Sequence, residues 1–459
     1  RRMRSVPSPS SARRRSAGGG ALDILLVRSP DEAEGTVRSS DWHVVFGASQ
    51  LISAPAPILV NVKINGIAVD AMQMVIDGAL QPAKFMAQRG ASGPGSIVNE
   101  AQATAVALDI GVSSSTTAEE SPERAAVAGA AATKQTVTVT PSEAVLRDLI
   151  ALGTLREGRN EVIYEAGDGS MCAMAFAYLC HVDSKVVVFD IDGTFTTSDI
   201  GGHLGQAFDF PVIHSGVCEF LCHLHARGYI VMFLTARCLL GAAGIDRTRR
   251  FLFEIARDAA SGYCAPVGPI FTTRHTSTFD ALRDELSKAS GVFKFRQLRQ
   301  IAALFGQSPS PTVGASSDEA ATANAKPTTR GGLYAGFGNR SKDAIAYMNA
   351  GIECERIFII NTASRIHRWR GSTRSSSQPK AVPQSVHGER TGIDRPWTSY
   401  LGFLKDVETP FPRLVSESQL EQMLSWHASV AARARPSSAL GHAYRLRGVS
   451  RATTGSVQV

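Results

Sequence analysis

The apolar and polar positions divide the chain into two kinds of segment. In the first, short runs with strand character, Asp23–Val27, Trp42–Phe46, Leu59–Ile64 and Met72–Ile76, lie between turn residues. Asn65-Gly66, set between Val60–Ile64 and Ile67–Val69, predicts a tight hairpin. Residues 86–140 are Ala, Ser, Thr and Gly with weak periodicity and read as a linker. Ser142 then precedes Val145, Leu146, Leu149 and Leu152 on one helical face, with Gly153 near the helix end. Val162–Tyr164 and Met171–Leu179 read as further strands.

From Val186 onward strands alternate with helices. Val186–Phe189 is a continuous apolar run. Val217, Phe220, Leu221 and Leu224 recur at helical spacing, and Tyr229–Leu234 is the next strand. Pro269–Phe271, Leu333–Phe337 and Arg356–Ile360 follow, with helical stretches between them. This alternation predicts an α/β fold with a parallel sheet covered on both faces. The Pro/Ser/Ala-rich stretch 306–331 reads as a loop insert and the basic, Pro/Ser-rich stretch 366–396 as a linker. Trp397–Leu414 is aromatic and partly helical in pattern, suited to docking back on the core.

Composition adds bounds. A chain of 459 residues has room for two or three domains. Its apolar fraction of 44% supports at least one full core, while 19% charged residues and abundant Gly, Ser and Ala point to substantial linkers. The net charge of +7 favours anionic partners. Seven cysteines, odd in number and without a Cys-x-x-Cys pair, fit free thiols better than a disulfide frame. No apolar run is long enough to span a bilayer, Met171–Val182 being the best and too short.

The chemistry concentrates where the first strand of the alternating series ends. Val186–Phe189 runs into Asp190-Ile191-Asp192-Gly193-Thr194, which places two carboxylates at the mouth of an α/β sheet. Gly193 lets the backbone turn close to a ligand. This stretch resembles the first motif of the haloacid-dehalogenase-like phosphatases. Three further signals follow in order: Thr235 and Arg237 after the second strand, Lys294 in Phe293-Lys294-Phe295, and Gly338-Asn339-Arg340 with Asp343 after Leu333–Phe337. Taken singly, each has a plain structural explanation as a turn, a strand-end hydroxyl, a solvated charge or a helix cap. Together and in order they assemble a phosphoryl-transfer site.

In that reading Asp190 is nucleophile and metal ligand, passing through an aspartyl-phosphate. Asp192 protonates the leaving alkoxide, then deprotonates water, while its backbone carbonyl meets the metal. Gly193, Thr194, Thr235 and Arg237 bind the phosphate, and Lys294 offsets charge on Asp190 and the transferring group. Asn339 is the third metal ligand, with Asp343 assigned to the metal set in support of it. Mg²⁺ suits such a site because it prefers oxygen ligands and keeps waters.

The flanking residues narrow the resemblance. Asp190-Ile-Asp-Gly-Thr-Phe-Thr-Thr-Ser198-Asp199-Ile-Gly-Gly202-His203 resembles the lipin family of phosphatidate phosphatases. So do Thr235-Ala-Arg237 with Asp246-Arg-Thr248-Arg249, Phe293-Lys294-Phe295 with Leu298 and Ile301, and Tyr334-Ala-Gly-Phe337-Gly-Asn339-Arg340-Ser-Lys-Asp343. Leu155-Arg-Glu-Gly158-Arg-Asn160 resembles the run before the lipin catalytic domain. Leu22–Pro30 and Trp42–Gly47 resemble the amino-terminal lipin segment. The chain departs from the family pattern by extra residues between Arg237 and Asp246. Leu204-Gly205-Gln206 replaces the co-regulator motif of animal members, so a co-regulator role is not implied.

The resemblance implies Mg²⁺-dependent conversion of phosphatidate to diacylglycerol. It implies a Rossmann-like haloacid-dehalogenase sheet plus an immunoglobulin-like β-sandwich, built from the amino-terminal segment and the strands before the catalytic core. The expected organisation is a basic tail (1–20), the amino-terminal β segment (21–85), the linker, and residues 141–185 completing the sandwich. The phosphatase domain (186–365), the basic linker (366–396), a docking helix (397–430) and a tail (431–459) follow. Family members act at endoplasmic-reticulum and nuclear membranes, recruited from the cytosol. The expected partners are therefore phosphatidate in an anionic lipid surface and a regulatory kinase or phosphatase, with no nucleic acid. Basic clusters at Arg1, Arg2, Arg4 and Arg13–Arg15, and at Arg365, Arg368, Arg370 and Arg374, would be drawn to such a surface. The spacing of the motifs leaves no room for a large lid, which suits a head group presented at a bilayer. The competing expectation is a phosphatidate sensor on the same fold without turnover; the presence of Asp192 favours the enzyme.

Overall fold

The computed structural model describes residues 19–29, 35–47, 57–77, 80–85, 138–167, 169, 171–197, 212–241, 244–274, 289–307, 331–370 and 396–415. Most of the linker and of the 306–331 insert, residues 1–18, 371–395 and 416–459, and the Ser198–His203 part of the motif lie outside the described residues, whereas Gly19 and Gly20, read as the end of the basic tail, are in a strand.

The amino-terminal half forms β strands, β1 (Gly19–Ala21), β2 (Ile24–Ser29), β3 (Thr36–Ser39), β4 (Val44–Phe46), β5 (Ile58–Ile64), β6 (Ile67–Ala68), β7 (Met74–Ile76) and β8 (Lys84–Phe85). Helix α1 (Glu143–Ala151) and strands β9 (Gly158–Ala166) and β10 (Met171–His181) follow. Asn65 and Gly66 take φ of 51° and 84°, the conformation that the two-residue hairpin between β5 and β6 demands. The Ser142 side chain accepts from the Val145 amide and caps α1. Early and late segments share one sheet of order β3-β2-β10-β9-β5-β7-β8, with β6 on β5, and β1 pairs with β4 separately. Along β5 the residues Ile58, Val60, Val62 and Ile64 are buried, with Leu59 and Asn61 exposed between them. Strand β2 is buried on both faces. Ile24 and Leu26 enter a core with Trp42, Val60 and Tyr164, while Leu25 and Val27 enter a second core shared with the carboxyl-terminal half.

The carboxyl-terminal half contains β11 (Lys185–Asp190), α2 (Val217–Ala226), β12 (Ile230–Leu234), α3 (Ile245–Arg250), β13 (Ile270–Phe271) and α4 (Ala289–Leu304). It continues through β14 (Gly332–Gly338), α5 (Ser341–Asn349), β15 (Ile357–Ile360), β16 (Ile366–Arg368) and α6 (Tyr400–Leu404). The sheet order is β13-β12-β11-β14-β15-β16, parallel except for the antiparallel β16. Stretch 366–396, read as a linker, thus begins with an edge strand; three residues in a basic stretch show no alternation long enough to betray it. Helix α6 is five residues long, and Tyr400, Phe403 and Phe411 of the same segment are fully buried against Phe189, Phe220 and Phe337. The other sheet face packs on α4 and α5 through Leu298, Ile301, Ala344 and Tyr347. β11 is central and covered on both sides, which explains its unbroken apolar run.

Candidate active site

Register sets the site. Asp190, the last residue of β11, stands beside Leu234, so Thr235 of the next strand is one residue beyond that level. Phe189 pairs with Phe337, which brings Asn339 to the same edge. The carboxyl ends of three adjacent parallel strands therefore carry the motif residues, as the topology of such sheets requires.

Asp190 is buried, and Lys294 from α4 donates to its Oδ1 at 2.7 Å. The same ammonium donates to Asp343 Oδ1 at 2.8 Å. Asp343 Oδ2 accepts the backbone amides of Arg340 (3.0 Å) and Asn339 (3.3 Å), capping α5. Asp343 is thus committed to Lys294 and a helix terminus. Burial pushes the Asp190 carboxyl up to about 7 against the downward pull of Lys294, with Asp343 and Asp192 adding to the rise. Burial pulls Lys294 down, but Asp190 and Asp343 outweigh it and hold the ammonium above its usual range.

Asp192 lies on the turn after β11. Arg237 Nη2 donates to its Oδ1 at 2.8 Å, Arg237 Nε reaches Oδ2 at 3.2 Å, and Thr235 Oγ1 donates to Oδ2 at 3.1 Å. Arg237 Nη1 in turn reaches Thr248 Oγ1 of α3 at 3.3 Å. Thr235 and Arg237, read from sequence as phosphate contacts, are here the partners of the second carboxylate. The turn is closed on itself: the amides of Thr194, Phe195 and Thr196 point to the Ile191 carbonyl, and the Gly193 amide donates to Thr196 Oγ1 at 3.1 Å. Thr194 Oγ1 lies 3.4 Å from Asp190 Oδ2.

Asp190, Asp192, Thr194, Thr235, Arg237, Lys294, Asn339 and Asp343 are therefore linked around one strand edge. Among the described residues no three His, Cys, Asp or Glu side chains are grouped to hold a metal. The oxygen donors that could hold a cation are the Asp190 carboxylate, the Asp192 carbonyl and the Asn339 amide. Three carboxylates against two cationic side chains leave an excess of negative charge for such an ion to offset.

Asp23 escaped the sequence reading. It is fully buried and accepts from the Phe176 amide (2.9 Å), the Ile270 amide (2.9 Å) and Arg249 Nη2 (2.7 Å). It ties the amino-terminal segment to β10, to β13 and to α3, the helix that carries Thr248. A charge opening an apolar run is the one signal it leaves in the sequence.

A mostly parallel sheet with this strand-end acidic motif defines a haloacid-dehalogenase-like domain. The LNS2 (Lipin/Ned1/Smp2) family model matches residues 138–382, and the model for the lipin N-terminal conserved region matches residues 11–89. The chain belongs to the LNS2 (Lipin/Ned1/Smp2) family. It is 32% identical to Nuclear elongation and deformation protein 1 of Schizosaccharomyces pombe, over 46% of this chain and 29% of the relative. It is 30% identical to Phosphatidic acid phosphohydrolase 1 of Saccharomyces cerevisiae, over 46% of this chain and 23% of that protein. It is 29% identical to the mouse Phosphatidate phosphatase LPIN3, over 56% and 28%. The aligned part thus spans less than a third of each of these relatives.

Proposed function

We propose that the chain hydrolyses phosphatidate to diacylglycerol and phosphate. The observation that carries this reading is the pairing of Asp190 with Lys294 and of Asp192 with Arg237 and Thr235 at one strand edge, in a chain whose relatives are named phosphatidate phosphatases. Asp190 is the nucleophile. Its close cation, Lys294, keeps the carboxylate aligned and offsets charge as the phosphoryl group arrives. Asp192 transfers the proton to the leaving oxygen and takes one from the attacking water, and the Arg237 fork with Thr235 fixes its plane. Thr194, whose hydroxyl lies beside Asp190, supplies a donor near the incoming phosphate. Asp343 supports the site through Lys294 and the α5 terminus.

The donor set fits Mg²⁺: Asp190, the Asp192 carbonyl and Asn339 are all oxygen ligands, few enough to leave room for water. When bound there, the ion would offset the repulsion between substrate phosphate and carboxylate.

The two β layers of the amino-terminal half, joined through one core, support an immunoglobulin-like sandwich completed by β9 and β10. Among the described residues no helix is long and apolar enough to cross a membrane. Peripheral binding at an anionic lipid surface, at the endoplasmic reticulum or nucleus, is the reading that suits the substrate and the +7 charge. The test is phosphate release from phosphatidate in mixed micelles. Release that needs Mg²⁺ and stops with chelator supports the proposal, and its absence under all divalent ions refutes it.

A further inference from the structure

The segment after the basic stretch lies beyond both family matches, 138–382 and 11–89, yet it reaches the nucleophile's turn. Tyr400 is fully buried, and its hydroxyl donates to the Thr194 carbonyl at 2.9 Å across 206 residues of chain. Its ring lies 5.9 Å from Phe189, the residue before Asp190, and 5.3 Å from Phe220. The edge of His214, which holds Ser364 Oγ at 2.8 Å, meets the same ring. The approach is close: Gly216 at φ 77° caps α2, and a Cβ there would run into the Leu401 side chain. The other apolar rings against it, Phe189, Phe220 and Phe337, carry no hydroxyl, so packing alone would be served by one more phenylalanine. A buried hydroxyl is costly unless bonded, and this one is spent on the catalytic turn.

We propose that Tyr400 is a positioning residue for phosphoryl transfer. It pins the Thr194 carbonyl, and so fixes the turn that aims Asp192 and carries the Thr194 hydroxyl beside Asp190. The kinetic consequence rests on the phosphatase reading above, whereas the effect on the order of the turn does not need that activity.

The experiment compares the full chain with Tyr400→Phe and, as control, Tyr334→Phe. Tyr334 lends its hydroxyl to Pro410 of the same segment at 2.8 Å, remote from the turn in the chain. Tyr400→Phe is expected to lower kcat on phosphatidate about tenfold with KM within about twofold, since small misplacements of reacting groups are costly. Amide hydrogen exchange at residues 191–196 should quicken about tenfold in Tyr400→Phe. Tyr334→Phe, at a comparable loss of Tm, should leave kcat and that exchange as in the wild type. Equal kcat in the two variants, or unchanged exchange at 191–196 in Tyr400→Phe, would overturn the proposal. If the wild type itself releases no phosphate, the phosphatase reading falls, and the exchange comparison alone decides for or against positioning.

Discussion

Arg237 grips Asp192 through two nitrogens, Nη2 at 2.8 Å from Oδ1 and Nε at 3.2 Å from Oδ2, while its remaining arm reaches Thr248. A lysine cannot reproduce that planar fork. Arg237→Lys should therefore lower kcat on phosphatidate roughly 10- to 100-fold with the fold intact. Steady-state kinetics beside circular dichroism check this; a kcat near wild type would remove Arg237 from the orientation of Asp192.

The two partners of the Asp190–Lys294 contact differ in what their loss does. Burial raises the Asp190 carboxyl, so its ionised form costs stability at neutral pH. Asp190→Asn should keep or raise Tm in chelator-treated protein at pH 8. Lys294→Ala does the opposite, because it leaves Asp190 and Asp343 buried without their shared cation, a loss of about 3–5 kcal/mol. Thermal unfolding of the two variants side by side decides the matter, and a clear drop in Tm for Asp190→Asn would contradict the assigned electrostatics.

Asp23 joins three distant parts of the chain through its buried carboxylate. Asp23→Ala leaves buried Arg249 with Asp246 alone and strands two backbone amides, and should cost about 3–5 kcal/mol of stability. Urea unfolding measures it. A loss below about 1 kcal/mol would mean that the amino-terminal segment docks by apolar packing alone.

His43 gives a pH signature. Burial, with Arg274 adding to it against the opposing Asp41, lowers its pKa to about 4 from the ordinary 6.5. The unfolded chain then takes up the proton first on acidification. His43 contributes stability above pH 6.5 that is lost as pH falls from 6.5 to 4, a change of roughly 3 kcal/mol. His43→Gln lacks this loss, so its stability should fall less steeply than wild type across that window. Parallel curves from denaturant titrations at pH 7, 5.5 and 4 would show that His43 does not carry the effect.

The strands of the parallel sheet and the gathering of motif residues were legible because apolar runs and strand-end polar groups leave local marks. Asp190, Thr235 and Asn339 follow apolar strands, and parallel registry places such residues on one edge. Partner choice left no such mark. The residue types at Asp192, Thr235 and Arg237 announce phosphate chemistry, but only the three-dimensional arrangement shows that Arg237 and Thr235 face the carboxylate. Asp23 and Tyr400 act across 226 and 206 residues of chain, where no periodicity connects the partners. The edge strand Ile366–Arg368 is set by pairing with β15 and not by its own composition.

The most direct test of the account is phosphate release from phosphatidate micelles with Mg²⁺, wild type against Asp190→Asn at equal folded concentration. The account predicts steady release by the wild type and none above background from the variant. Turnover by Asp190→Asn at a comparable rate would contradict it.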